Sequence, residues 1–562
     1  MAADETMSSV HVAPAPIPAP PNFPVTWERP DDERLFWTHF RMHYPRPVTP
    51  MTYAFSFHHA FNLAAAHYEL PIRVDARRIN TYYYWSVFPG VPLDEIASYG
   101  RRAEAKLGAA VGRLRDLWET EWLPQVRQHL AFWDSFDRQN ATLPALLAHL
   151  DETLERFTQA WTIHFDLVFP MYLAMSLFEE LYQEVFPDGG AAEAYRLLQG
   201  FGNTSVETDR ALWELSRKAL ASPEVRQTIQ EHPPGKVLAA LPRSPAGQVF
   251  LGEIQAYLSV YGRRSTQYIE LAEPGWIEDP APVIESLKGY ITQPDRDLVA
   301  EQAALSAERE RLVAAARAHL HHQPEPVRAQ FATLLSAAQA ATVISEDHTF
   351  WIDYGAMHRV RLVLLEFGRR FAEAGVLDQP NDIFYLTLDE VQETAAALPS
   401  LNRRQLAGAR RAEMEYFRTI QPPPALGTLP PGPPPSDPFG RAIGKLFGAP
   451  PEPPTTPQAV RGTAASRGIA RGTARVVRSL AEAGKLQPGD ILVTETTMPP
   501  WTPLFAIAAA VVTDTGGVLS HCAIVAREYG IPAVVGTGNA TSAIQDGQTI
   551  EVDGATGMVR IL

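Results

Sequence analysis

A proline-dense stretch divides this chain and limits what can fold across it. Between Gln421 and Gln458 stand Pro422, Pro423, Pro424, Pro430, Pro431, Pro433, Pro434, Pro435, Pro450, Pro451, Pro453 and Pro454. Fixed φ angles and missing donors favour extended polyproline II, the backbone of a semi-rigid spacer between two bodies. Residues 1–30 repeat the theme, with Pro14, Pro16, Pro18, Pro20 and Pro21 among alanines. Such a composition buries too little surface to order itself, so a disordered tail is expected there. The chain therefore reads as a tail (1–30), a large body (31–420), a linker (421–458) and a small body (459–562).

Composition narrows the function classes. At 562 residues, 46% apolar and 20% charged, the chain has material for two to four ordinary domains and a large core. Lys plus Arg number 49 against 64 Asp plus Glu, a formal charge of −15, which argues against a nucleic-acid or anionic-membrane binder. The one cysteine, Cys522, excludes a disulfide framework and a cysteine-based zinc site. It suits a reducing compartment, and the cytoplasm is the expected location. No apolar run approaches the roughly 20 residues of a membrane span, and the N-terminus lacks the basic start and apolar core of a signal peptide.

The large body reads as mainly α-helical. Leu107, Val111, Leu114, Trp118 and Trp122 recur at three- and four-residue spacing, as one buried helix face does. The Ala-, Glu- and Arg-rich run from Glu301 to His321 continues the pattern. Thr81 to Phe88 (TYYYWSVF) is an exception whose aromatic and β-branched content fits a strand or a ligand-facing wall, with core packing the default. After the linker the pattern changes to short β-branched runs, Ala474–Val477, Ile491–Thr494, Val511–Thr513, Ala533–Val535 and Thr549–Val552, punctuated by turn signals. This is a separate β/α module of about 100 residues.

Chemistry concentrates in that module. Thr513 to Gly536 reads TDTGGVLSHCAIVAREYGIPAVVG: a strand, a glycine turn, then Ser520 and His521 where a helix begins. Gly516 and Gly517 permit a tight turn and close approach of a partner, Ser520 suits an N-cap, and Ala523 to Glu528 are good helix formers. In the first turn, free backbone N–H groups and the helix dipole favour an anion on the His521 side chain, which suits a phosphoryl group. Imidazole is a competent nucleophile near neutral pH, and Arg527 is placed to neutralise phosphate oxygens.

The string GGVLSHCAIVARE followed by YGIPAVVG resembles the phosphohistidine, or swivelling, domain of the dikinase-type phosphotransferases. That group includes phosphoenolpyruvate synthase, pyruvate phosphate dikinase, rifampin phosphotransferase and phenylphosphate synthase. The likeness runs from Gly462–Val477 through Pro488–Thr494 and Met498–Phe505 to the C-terminus. It implies that His521 is phosphorylated in a catalytic cycle and that Gly516, Gly517, Ser520 and Arg527 form its supporting motif. Met498 departs from the pattern, standing where relatives often carry an acidic residue.

In the large body, Tyr261–Pro280, Glu346–Arg361, Asn381–Val391 and His43–Thr52 resemble the acceptor-binding domain of rifampin phosphotransferase and its phenylphosphate synthase counterpart. Arg263, Arg264 and Glu270 supply charges there. His348, Asp353, His358 and Arg359 suit a base with an orienting carboxylate and a phosphate clamp, His348 and Asp353 foremost. Residue by residue, the competing reading is an ion-pair network that ties helices together. Phe350, Trp351 and Tyr354 suit an acceptor pocket, with core packing again the default. No metal site is expected in this chain.

Residues 1 to 440 show no glycine-rich phosphate loop followed by alternating strands. The resemblance therefore implies a separate ATP-grasp subunit that binds ATP and Mg2+ and charges His521 with release of AMP and phosphate. The sequence closes at Leu562, so the C-terminal barrel of the synthases, and its phosphoenolpyruvate chemistry, is not expected. The expected function is phosphoryl transfer from His521 to a small hydroxylated, phenolic or aromatic acceptor, the module swinging on the linker between sites. The alternatives are a rifampin-type antibiotic or secondary-metabolite phosphotransferase, an enzyme using another donor, and a non-catalytic binding homologue.

Overall fold

A computed structural model describes residues 15–187, 190–267, 269–430, 437–448 and 459–562. The large body is mainly helical around one long helix, Leu143–Val185, capped by Thr142 Oγ1 accepting from Ala145 N. Among the described residues it is the one helix long and apolar enough by composition to cross a membrane, yet 78% of its apolar window is buried inside the protein. It is the spine of the core, packed against helices Glu325–His348, His58–His67 and Pro438–Phe447. The Leu107 to Trp122 stripe is buried as its periodicity requires. The helix itself is interrupted at Arg113, and Leu117–Trp122 forms a π-type turn.

A five-stranded antiparallel sheet covers one end of the body. Its strands are β1 (Ala15–Ile17), β2 (Phe36–His39), β3 (Ile72–Ile79), β4 (Tyr82–Pro89) and β5 (Ala425–Leu429), in the order β1-β5-β2-β4-β3. Two expectations need correcting here. Residues 15–30 are not a tail: β1 pairs with β5, and Phe23 is fully buried against Tyr82, Tyr84 and Phe417. The apolar residues Phe23, Val25 and Trp27 were averaged away among the prolines around them. Nor is 421–458 a plain spacer, because Ala425–Leu429 is a central strand lying between Pro424 and Pro430. Gly427, at φ +82, passes so close to Leu35 that a Cβ would lie 2.0 Å from its carbonyl oxygen.

The linker also holds a helix, Pro438–Phe447. Asp437 caps it by accepting from Phe439 N at 3.1 Å and Gly440 N at 3.0 Å, with proline in the first turn. Arg441 and Lys445 pair with Glu180 on the long helix. Residues 1–14, 431–436 and 449–458 of the expected tail and linker lie outside the described residues.

The C-terminal module is one eight-stranded sheet, β6 (Ala459–Arg461), β7 (Thr463–Ser466), β8 (Ile469–Val476), β9 (Ile491–Thr494), β10 (Ala510–Thr513), β11 (Ala533–Val535), β12 (Thr549–Asp553) and β13 (Met558–Ile561). The order is β6-β13-β12-β8-β9-β10-β11-β7, with β8 to β11 parallel. The module is docked on the body: Arg41 donates to Glu495 at 2.8 Å, Arg467 pairs with Glu193, and Tyr529 donates to Asp209.

Candidate active site

Strand β10 leads into the glycine turn, and His521 is the first residue of the helix His521–Glu528, as the motif requires. Gly516 sits at φ +100. Gly517 N donates to Leu446 O at 2.9 Å and Leu519 N to Lys445 O at 3.2 Å, so the partner that approaches this turn is the linker helix. Ser520 occupies the N-cap position, but its Oγ makes no hydrogen bond. His521 Nδ1 lies 3.4 Å from Glu346 Oε1, while Nε2 is buried without a hydrogen-bond partner. Burial opposes ionisation of Glu346. The His521 ring, the Ser205 hydroxyl at 2.7 Å and Arg264 outweigh it and hold the carboxyl below its usual range.

His521 opens into a cavity of about 590 Å³ between module and body. Its floor is one face of the long helix, where Trp161, His164, Phe165, Val168, Phe169 and Tyr172 follow helical spacing. Trp85 of β4 forms a wall, so TYYYWSVF is a strand with a cavity-facing aromatic. The linker helix supplies Phe439, Ile443 and Phe447, and the module supplies Met498 and Cys522. The cysteine is buried, which pushes its thiol up to about 12 and makes it an apolar filler.

One corner of this cavity is polar. His348 ends the Glu325–His348 helix with Nδ1 2.8 Å from Ile344 O, and burial pushes its pKa down to about 4. Asp353, fully buried, faces His164 rather than His348, with His164 Nδ1 at 2.8 Å from Oδ1. On a regular helix, residues five apart point in different directions. Thr349–Tyr354 is a π turn, which returns the fifth residue over the first and gathers His348, Asp353 and His164 together.

Several sequence candidates do other work. Arg527 donates to Ala465 O at 3.0 Å and Val518 O at 2.9 Å and lies over the Tyr195 ring, so its guanidinium secures the helix instead of facing a phosphate. Arg359 is bidentate to Asp134 at 2.8 and 2.5 Å. His358 and Arg361 share Glu278. Glu270 accepts from Thr49 N, Thr49 Oγ1, Thr52 Oγ1 and Ala272 N, a fully used carboxylate that fixes a helix start. Arg263 is half-buried at a small neighbouring cleft, and Arg264 is buried among Trp276, Phe350 and Tyr354. Phe350, Tyr354 and Trp351, the last lying under Arg127, pack in the body and do not line the large cavity.

Docking has its own electrostatics. Glu528 accepts from Gly200 N of the body at 3.1 Å, and burial raises its carboxyl to about 8; burial likewise raises Asp209 to about 7. A carboxyl whose pKa is raised in the docked state binds its proton more tightly there. The contribution of these two carboxyls to docking is fullest below the ordinary carboxylate range and is lost as pH rises through about 7 to 8. Limited proteolysis of the linker is expected to accelerate over that window, and Glu528→Gln to flatten the profile.

Residues 486–557 match the PEP-utilising enzyme mobile domain family, and residues 164–346 match the rifampicin phosphotransferase fourth domain. These two matches, with the relatives below, support a PEP-utilising-type phosphotransferase. The second match begins at His164 and ends at Glu346, two residues brought to the cavity from opposite ends of the segment. Among curated proteins, chondramide synthase cmdD of Chondromyces crocatus is 41% identical over 97% of this chain, which corresponds to 14% of that protein. An uncharacterised phosphotransferase, YvkC of Bacillus subtilis, is 29% identical over 94% of this chain and 62% of its own length. Rifampicin phosphotransferase of Streptomyces sviceus is 32% identical over 64% of this chain and 40% of its own. The chain thus spans less than two thirds of each of these relatives.

Proposed function

We propose that this chain transfers a phosphoryl group from His521 to a hydroxyl of an aromatic molecule held in the cavity. The observation that carries this reading is the buried, unpartnered His521 Nε2 at the wall of an aromatic cavity of about 590 Å³. Nε2 carries the phosphoryl group and Glu346 steadies Nδ1. The acceptor oxygen attacks phosphorus, the N–P bond breaks with its electron pair returning to the ring, and the hydroxyl proton leaves at the polar corner. Such transfers depend mainly on positioning and charge stabilisation, which the helix N-terminus supplies through its free N–H groups. His521 is charged outside these residues by an ATP-grasp partner that binds ATP and Mg2+ and releases AMP and phosphate. The linker carries the module between the two sites.

Cavity size favours one class of acceptor. Pockets of about 300–1,000 Å³ hold drug-sized ligands, and a simple phenol leaves most of this volume empty. The relatives named rifampicin phosphotransferase point the same way, so the acceptor is a large hydroxylated secondary metabolite of the antibiotic type. The test is intact-mass analysis of the charged protein mixed with hydroxylated aromatics graded in size. Loss of the phosphoryl adduct should quicken as the acceptor fills the cavity. Discharge by phenol alone would overturn the large-acceptor reading, and failure to charge with a nucleotide-binding ATP-grasp partner would overturn phosphoryl transfer itself.

A further inference from the structure

We propose that His164, His348 and Asp353 form a binding site for a zinc-class divalent cation in the wall of the cavity. The sequence carries no such expectation, because the three residues come from two helices and a π turn and match no ligand spacing. In the fold each offers one ligand atom, and these atoms all lie within 4.8 Å of one another. All three side chains are buried. Two imidazole nitrogens and a carboxylate oxygen are the donor set of many catalytic zinc sites.

The surroundings support this assignment. Donation of the His348 Nδ1 proton to the Ile344 carbonyl leaves Nε2 with its lone pair, the arrangement that orients metal-bound histidines. Asp353 is fully buried with His164 Nδ1 2.8 Å from its Oδ1, and a cation here sets a positive charge beside that carboxylate and both imidazoles. Bonds of about 2.0–2.2 Å in a tetrahedral site set ligand atoms about 3.3–3.6 Å apart, so the widest pair needs to close by up to about 1.5 Å. His164 and His348 both line the cavity that His521 enters, which leaves one position open towards it. The role, though not the existence, of the site rests on the proposed phosphoryl transfer: a hydroxyl bound at the open position loses its proton to solvent more readily and presents an oxyanion to phospho-His521.

The test is direct metal binding by the whole chain, without nucleotide or acceptor. Chelator-stripped protein is titrated with Zn2+ and, in parallel, with Co2+, whose visible spectrum reports coordination geometry. One equivalent per chain is expected, with a tetrahedral or five-coordinate Co2+ spectrum and a raised Tm. His164→Ala and His348→Ala should abolish binding, Asp353→Asn should weaken it by about 10–100-fold, and the surface variant His321→Ala should leave it intact. His521→Ala should also bind fully, which separates this result from any failure of phosphoryl transfer. Absence of stoichiometric binding to folded wild-type protein, or binding that survives both histidine variants, overturns the proposal. Should the alanine variants misfold, the wild-type titration and Asp353→Asn decide it.

Discussion

Replacing His521 with alanine is expected to abolish phosphoryl transfer while leaving fold and acceptor binding in place. The imidazole makes one side-chain hydrogen-bond contact, Nδ1 to Glu346 at 3.4 Å, lies edge-on to the Phe505 ring at 6.4 Å between centroids, and leaves Nε2 without a hydrogen-bond partner. Removing it costs little packing and leaves Glu346 held by Ser205. The helix start is set by the backbone around Ser520, so it survives the change. Loss of an essential nucleophile lowers turnover on the order of 10⁴- to 10⁶-fold, because no neighbouring group takes over the covalent step. Intact-mass measurement should show no phosphoryl adduct, and a fluorescent or calorimetric titration should show acceptor affinity within about threefold of wild type. Residual adduct formation in the alanine variant would assign the phosphoryl group to another residue.

This site was legible in the sequence only where local rules act. The glycine turn, the helix start at His521 and the strand Ile491–Thr494 are decided by neighbours in the chain, and each is found as read. Arg527 was placed correctly on its helix but assigned the wrong partner, since the carbonyls of Ala465 and Val518 reach it through tertiary packing. His164 carries a sequence signal, a histidine inside a Trp161 to Tyr172 helical stripe, but such stripes normally face a core. His164 as the close partner of Asp353 is not legible in the sequence, because the π turn that brings them together has no reliable sequence signature. Proline density concealed Ala425–Leu429 and the linker helix, since averaging over a long window removes two short, well-capped elements. His348 lines the cavity with Asp353 close to it, while Arg359 and His358 follow the ion-pair reading.

Gly517→Ala should uncouple the glycine turn before His521 from the linker helix. A Cβ at this position would lie 2.1 Å from Lys445 O and 2.9 Å from Gly448 N, both backbone atoms that cannot rotate away. Relief requires the turn and the helix end to separate, and that movement breaks the bonds from Gly517 N to Leu446 O and from Leu519 N to Lys445 O. The same helix provides Phe439, Ile443 and Phe447 to the cavity, so its displacement opens the acceptor site and removes His521 from its wall at once. Overpacking of this kind costs about 1–3 kcal/mol, which corresponds to roughly 5- to 150-fold in the docked population. Transfer to acceptor should fall by that factor, whereas charging of His521 at the remote site should proceed as in wild type. The linker should also become more accessible to protease below pH 6, where Glu528 and Asp209 hold the wild-type module docked. Equal losses of charging and transfer would instead place the damage inside the module, at the turn itself.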